Sequence, residues 1–180
     1  VELVARTIDR FQLKNVVIDP VMVCKGIDTI MVPDAAAAIK QLLIQRADVI
    51  TPNTLEAAYL AGMPQVKTLD EIKEAAGRIK ELGAKYVVIK GGERMENDEA
   101  IDVLYDGKEF TEMAEKKIYP SYNHGAGCTY SAAITAGLAN GLSVPEAVFQ
   151  AKKFITAALR HSFVLNQYSG CTNHTAFRRY

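Results

Sequence analysis

The chain has 180 residues, with 21 Lys+Arg balanced by 21 Asp+Glu; that length suits a single domain over 1–180, and zero net charge argues against a nucleic-acid binder, which needs a basic excess or stripe. Hydrophobic residues make up 49 % of the chain, enough for a core, yet no apolar run is long enough to cross a membrane and no secretory signal pattern is present. Cys24, Cys128 and Cys171 are far apart and lack C-x-x-C spacing, which points to a reduced cytoplasmic protein and against a disulfide framework or a zinc site.

Val1, Val4, Ile8 and Phe11 recur at helical spacing, so the chain opens in an amphipathic helix. With neither an initiator Met nor a cap before it, the chain is expected to be a C-terminal fragment that has lost its beginning. Residues 16–18 form a short apolar run, the pattern of a strand buried on both faces of a parallel sheet. Asp19-Pro20 closes it. A carboxylate there either points into the crevice at the strand ends, where ligands bind, or helps form a turn. After a loop over 24–32 that carries Lys25-Gly26, Pro33 suits the first turn of a helix with Ala36, Ile39, Leu42 and Leu43 on its inner face. A second strand covers 48–51 and is closed by Pro52. Asn53 and Glu56 then form N-x-x-E ahead of a helix over Thr54–Ala61. That spacing fits a capping box, and also a nucleotide or metal contact at the end of a strand.

Thr68 and Glu71 make a second capping box, opening a helix that runs to Leu82 and stops at Gly83. A third buried strand covers 86–89, and Lys90-Gly91-Gly92 follows it; open backbone beside a point charge suits a phosphate. Segments 100–105 and 109–118 flank Asp106-Gly107, a hairpin turn signal, and are expected antiparallel at the sheet edge. Ser143 and Glu146 cap a last helix with core positions Val148, Phe154, Ile155, Ala158 and Leu159. The tail, 165–180, shows no clear period and reads as ordered loop or terminal cover.

Before that last helix lies His124-Gly125-Ala126-Gly127-Cys128-Thr129, followed by the apolar positions Ala132, Ile134, Ala136, Leu138 and Ala139. A glycine turn enters a helix here. The first N–H groups of a helix have no partner within it, and with the helix dipole they favour an anion. Two glycines and an alanine leave the backbone open to a phosphate. A branched side chain at Gly127 would block that approach and disfavour a positive φ. Cys128 sits in the same field. Taken alone, the stretch reads more readily as a plain turn with a small filler cysteine. The element order predicts an α/β layer fold with a mainly parallel sheet. In such a sheet Asp19, Asn53 with Glu56, Lys90 with its glycines, and the Gly125 loop can converge on one crevice.

In this order IDPVMV, TPNxxEA, VVIKGG, IDVLYDG and HGAGCT resemble the ribokinase-like vitamin kinases, more narrowly the hydroxymethylpyrimidine/phosphomethylpyrimidine kinases and bacterial pyridoxal (pyridoxine) kinases. The resemblance runs from about Asn15 to the C-terminus, and VMVCKG and LNQYSG are most like the pyridoxine kinases of that group. It implies a three-layer ribokinase-like fold with the N-terminal part missing. It also implies ATP and Mg²⁺ as cofactors, and a pyridine or pyrimidine alcohol as the small-molecule partner that is phosphorylated. By the same resemblance Cys128 falls on the catalytic base, where many relatives carry Asp, and Gly125, Ala126 and Gly127 fall on the anion hole. Glu56 falls on the Mg²⁺-associated acid, and Asp19 and Asn53 on neighbouring nucleotide-site positions. Lys90, Gly91, Gly92, Glu93 and Arg94 fall on the loop beside the ATP phosphates, with Asp102 and Lys152 also at the nucleotide site. The segment that holds the vitamin ring is expected to be absent, so apolar faces meant for it should be exposed or covered by another copy in a homo-oligomer.

Two other readings stay open. Cys128 is a nucleophile with His124 or His161 as its base in a hydrolase, or the chain is a non-catalytic nucleotide-binding fragment.

Overall fold

Short apolar runs build the centre of a first unit, Val1–Ala114, in a computed structural model that describes residues 1–23, 29–92, 95, 98–119, 122–167 and 169–179. Strands β1 (Val17–Ile18), β2 (Val49–Ile50) and β3 (Tyr86–Lys90) lie parallel and side by side, with Val17 opposite Val49 and Ile50 opposite Val87. Strand β4 (Glu99–Tyr105) runs antiparallel to β3 and sets Asp102 opposite Lys90. Strand β5 (Phe110–Lys116) completes the five-stranded sheet, in the order β1-β2-β3-β4-β5. The connection over 106–109 is too short for a crossover, so β5 turns back beside β4 as the hairpin signal predicts. Asp106 holds that turn: its Oδ1 accepts the N–H groups of Lys108 and Glu109 at 2.7 and 2.8 Å, and Gly107 takes a φ of 102°.

Helices α3 (Thr54–Ala61) and α4 (Leu69–Glu81) lie against the sheet. They bury Leu60, Ile72 and Ile79 with Ile50, Val87, Ile89 and Val103 in one core. Both expected capping boxes form, Asn53 with Glu56 and Thr68 with Glu71. Helix α2 (Pro33–Ala38) has Pro33 in its first turn and runs on through a wider turn (Ile39–Leu43) and a tighter one (Ile44–Arg46). Helix α1 (Glu2–Phe11) buries Ala5 and Ile8 against Leu43. Of the periodic positions only Ile8 turns inward; Val1, Val4 and Phe11 stay exposed, as does Leu3.

The second unit, Glu115–Tyr180, is built on α5 (Ala126–Ala139) and α6 (Val144–Arg160), which pack on each other. Gly137 sets their separation, because a Cβ on it would lie 2.9 Å from the Cβ of Ala147. Val148, Ile155 and Ala158 are buried, as expected for α6. The tail is more regular than the ordered loop its sequence suggests: β6 (Phe163–Asn166) and β7 (Ser169–Cys171) form an antiparallel hairpin, and α7 (Ala176–Arg179) follows. Every position of β6 is exposed. It therefore needs no alternation of polar and apolar residues, the signal that betrays a strand. No helix of the described residues is long and apolar enough to cross a membrane.

Candidate active site

Because β1, β2 and β3 are parallel, the residues that follow them share one edge of the first unit. Asp19 follows β1, Asn53 follows β2 and Lys90 ends β3. The structure brings these together. Lys90 Nζ donates to Asp19 Oδ1 at 2.9 Å, with the two side chains 14 % and 18 % exposed. The Lys90 N–H donates to the Pro52 carbonyl at 2.9 Å, and Asn53 and Lys90 form an isolated parallel bridge.

Glu56 satisfies the capping reading in full. Asn53 Oδ1 accepts the N–H groups of Leu55 and Glu56, both at 3.0 Å, while Glu56 Oε2 accepts the Asn53 N–H at 2.8 Å. Its other oxygen reaches across to accept the Met22 N–H at 3.2 Å, a contact no sequence pattern signals. The residue is 2 % exposed. Burial pushes its carboxyl above the ordinary glutamate range; the Asn53 N–H, the Lys90 charge and the Met22 N–H pull against that rise, and Asp19 adds to it.

Asp102 is 4 % exposed and accepts the Gly91 N–H on Oδ1 at 3.1 Å. The β3–β4 register places it there. A charged residue inside the apolar run Ile101-Asp102-Val103-Leu104 is the sequence signal that marks it. Gly91 has no room for a side chain, since a Cβ would lie 2.0 Å from the Ile101 carbonyl oxygen. Gly92 takes a φ of 56°. Glu93 and Arg94 lie outside the described residues.

In the second unit, Gly125 precedes α5 with a left-handed φ of 80° and no side chain caps the helix. The Ala126 N–H donates to the Asn123 carbonyl at 3.0 Å, and the Thr129 N–H closes the first turn on the Gly125 carbonyl at 2.9 Å. Between them the N–H groups of Gly127 and Cys128 donate to nothing among the described residues. The positive φ thus belongs to Gly125; Gly127 is already helical, contrary to the sequence expectation, because the turn is complete before α5 begins. Cys128 is an exposed free thiol. Among the described residues it makes no hydrogen bond to His124 or His161, so the nucleophile–base pair of a hydrolase is not assembled. A cavity of about 480 Å³ opens there, lined by His124, Gly125, Cys128, Thr129, Phe163 and His174 among others. Lys152 is 6 % exposed on α6.

These features define an α/β protein with polar groups gathered at the strand ends of one unit and a helix opening on unpaired amides in the other. Residues 1–173 match the phosphomethylpyrimidine kinase family. The chain is 53 % identical over 178 residues to a pyridoxine kinase of Bacillus subtilis, covering 99 % of this chain and 66 % of that protein. It is 39 % identical over 179 residues to a hydroxymethylpyrimidine/phosphomethylpyrimidine kinase of the same organism, again covering 99 % and 66 %. The Staphylococcus aureus pyridoxal kinase, solved in complex with AMP-PCP and pyridoxal, superposes with a TM-score of 0.90 at 38 % identity, covering 99 % of this chain and 65 % of that one. The chain therefore belongs to the phosphomethylpyrimidine kinase family, of the ribokinase-like group, and spans about two thirds of the length of the curated relatives it matches.

Proposed function

We propose that the protein transfers the γ-phosphoryl group of ATP to the hydroxymethyl group of pyridoxine or pyridoxal, or of hydroxymethylpyrimidine or its phosphate. The observation that carries this reading is the pair of amides, Gly127 and Cys128, at the start of α5 that donate to nothing among the described residues. The named activities of the relatives, and the AMP-PCP and pyridoxal bound by one of them, support it.

The transition state of phosphoryl transfer is loose, so the protein's part is positioning and charge stabilisation. The Gly127 and Cys128 N–H groups would hold the oxygens of the transferred phosphoryl, aided by the positive end of the helix dipole. Cys128 Sγ would accept the proton of the attacking hydroxyl while the bond to the ADP oxygen breaks. Lys90 would exchange part of its pairing with Asp19 for the triphosphate, and Asp102 would hold the Gly91 backbone in place for it. Asn53, fixed as the cap of α3, and Lys152 would complete the nucleotide contacts.

Among the described residues no group of three His, Cys, Asp or Glu side chains is placed to hold a metal ion. Mg²⁺ keeps several waters and is bound by one or two carboxylates plus substrate phosphates rather than by a protein cage. Asp19 and Glu56 are the carboxylates that would hold it, each Glu56 oxygen keeping a second lone pair beyond its N–H partner. Bound with the triphosphate, the ion would offset its negative charge.

The test is incubation of the protein with ATP, Mg²⁺ and either pyridoxal or hydroxymethylpyrimidine, with ³¹P NMR of the products. A new phosphate ester with one of them is expected when the chain is tested together with the segment that holds the vitamin ring. Cys128→Ser should keep nucleotide binding and slow ester formation by at least about 100-fold, the usual worth of a general base. Turnover of that variant within a few-fold of wild type would remove the base role. Nucleotide binding with no ester from either alcohol would leave the non-catalytic reading.

A further inference from the structure

The tail beyond α6 has no part in the phosphoryl-transfer reading, yet it grips the Gly125 loop on both sides. Tyr122 lies against the backbone of Gly170, where a Cβ would come within 2.6 Å of its side chain. The His124 N–H donates to the Gly170 carbonyl at 3.3 Å, and the Thr172 N–H donates to the His124 carbonyl at 3.5 Å. These contacts fix the chain entering the loop. Beyond the loop, His174 Nε2 lies 2.9 Å from Thr129 Oγ1 and 3.3 Å from Thr172 Oγ1. Thr129 directly follows Cys128, and Thr172 is 3 % exposed. The segment that carries the imidazole is itself anchored. The Asn173 N–H donates to the Ala158 carbonyl on α6 at 3.0 Å, and Asn173 Oδ1 accepts the Thr175 N–H and hydroxyl at 3.1 and 2.9 Å.

We infer that His174 is a positioning residue for the phosphate loop, its imidazole tying the Thr129 hydroxyl to Thr172 and so fixing the first turn of α5 with its Gly127 and Cys128 amides. The inference rests on the phosphate-binding reading of that loop. Its physical ground is that α5 begins on a glycine with no side-chain cap. Such a helix end frays, and a glycine there carries the largest backbone entropy. A hydrogen bond from outside the helix to its first turn restrains the amides in place of the missing cap. His174 itself donates nothing to the phosphate.

The test compares the affinities of the protein for AMP-PCP and for AMP, which lacks the phosphates that would reach the loop. Wild type should prefer AMP-PCP. His174→Ala should weaken AMP-PCP roughly three- to tenfold, the worth of one hydrogen bond, and leave AMP unchanged. Thr129→Val should do the same with the imidazole intact, and the double variant should be no worse than either single one. Thr129→Ser, which keeps the hydroxyl, should bind like wild type. A folded His174→Ala protein that keeps the full preference for AMP-PCP overturns this inference alone, as does an equal loss for AMP and AMP-PCP. A wild type with no preference overturns the phosphate-loop reading and this inference with it.

Discussion

Gly91 leaves the Ile101 carbonyl oxygen a place that any side chain would take, since a Cβ would sit 2.0 Å from it. The obstacle is backbone, not the flexible end of a side chain, so the sheet edge itself must move. Gly91→Ala should therefore destabilise the protein by about 2–3 kcal/mol, the upper part of the range for overpacking. The urea midpoint reads this directly, and a variant within 0.5 kcal/mol of wild type, roughly the scatter of neutral surface changes, would show that the edge yields freely. The sequence marks Gly91 only as open backbone beside Lys90; the reason for the glycine lies at Ile101 in the next strand, which no local pattern contains. Gly125 and Gly127 divide in the same way. Both look permissive in sequence, but only Gly125 takes a left-handed φ.

Elements with a strong local grammar were legible. The capping boxes of α3 and α4, the Asp106-Gly107 hairpin and the parallel strands all form where composition places them. What was hidden depended on partners far along the chain. Asp48 is an example, reading in sequence as the start of a strand. In the structure it joins β1 to β2: its Oδ2 accepts the Val16 N–H at 2.8 Å and its Oδ1 accepts from Lys85 Nζ at 2.7 Å. Burial alone would raise its carboxyl, but the Lys85 and Val16 hydrogen bonds outweigh that and hold it below the ordinary aspartate range. Lys85 is well exposed, so the buried-side Val16 N–H carries most of the worth. Asp48→Ala should cost about 1–2 kcal/mol at neutral pH. A carboxyl whose folded pKa is depressed stabilises the fold above its unfolded value and loses that contribution as pH falls through the folded one. The gap between wild type and Asp48→Ala should thus be constant near neutrality and narrow below the usual carboxylate range. A gap that widens with acid would reverse the assignment. The tail hairpin β6–β7 was hidden for the opposite reason: its exposed strand obeys no burial pattern at all.

Across the whole molecule, apolar surface and the Gly125 loop lead to two expectations. Helix α1 presents Leu3 at 70 % and Phe11 at 63 % exposure, and β1 is an edge strand of the sheet. Apolar faces and free strand edges drive association. The chain should therefore show a concentration-dependent mass in light scattering, lowered by Leu3→Lys combined with Phe11→Lys. A monomer at every concentration would show that this face needs no cover. The central claim, that the amides opening α5 hold the phosphates of a nucleotide, is tested most directly by Gly127→Val. Gly127 is helical and valine is no worse a helix former than glycine, so the variant should fold. Its branched side chain would stand over the two unpaired amides. By titration calorimetry, AMP-PCP should lose at least about tenfold in affinity, or ~1.4 kcal/mol, close to the lower end of what one hydrogen bond to a charged group supplies, while AMP binds as before. AMP-PCP bound equally well by wild type and a folded Gly127→Val protein would contradict the account.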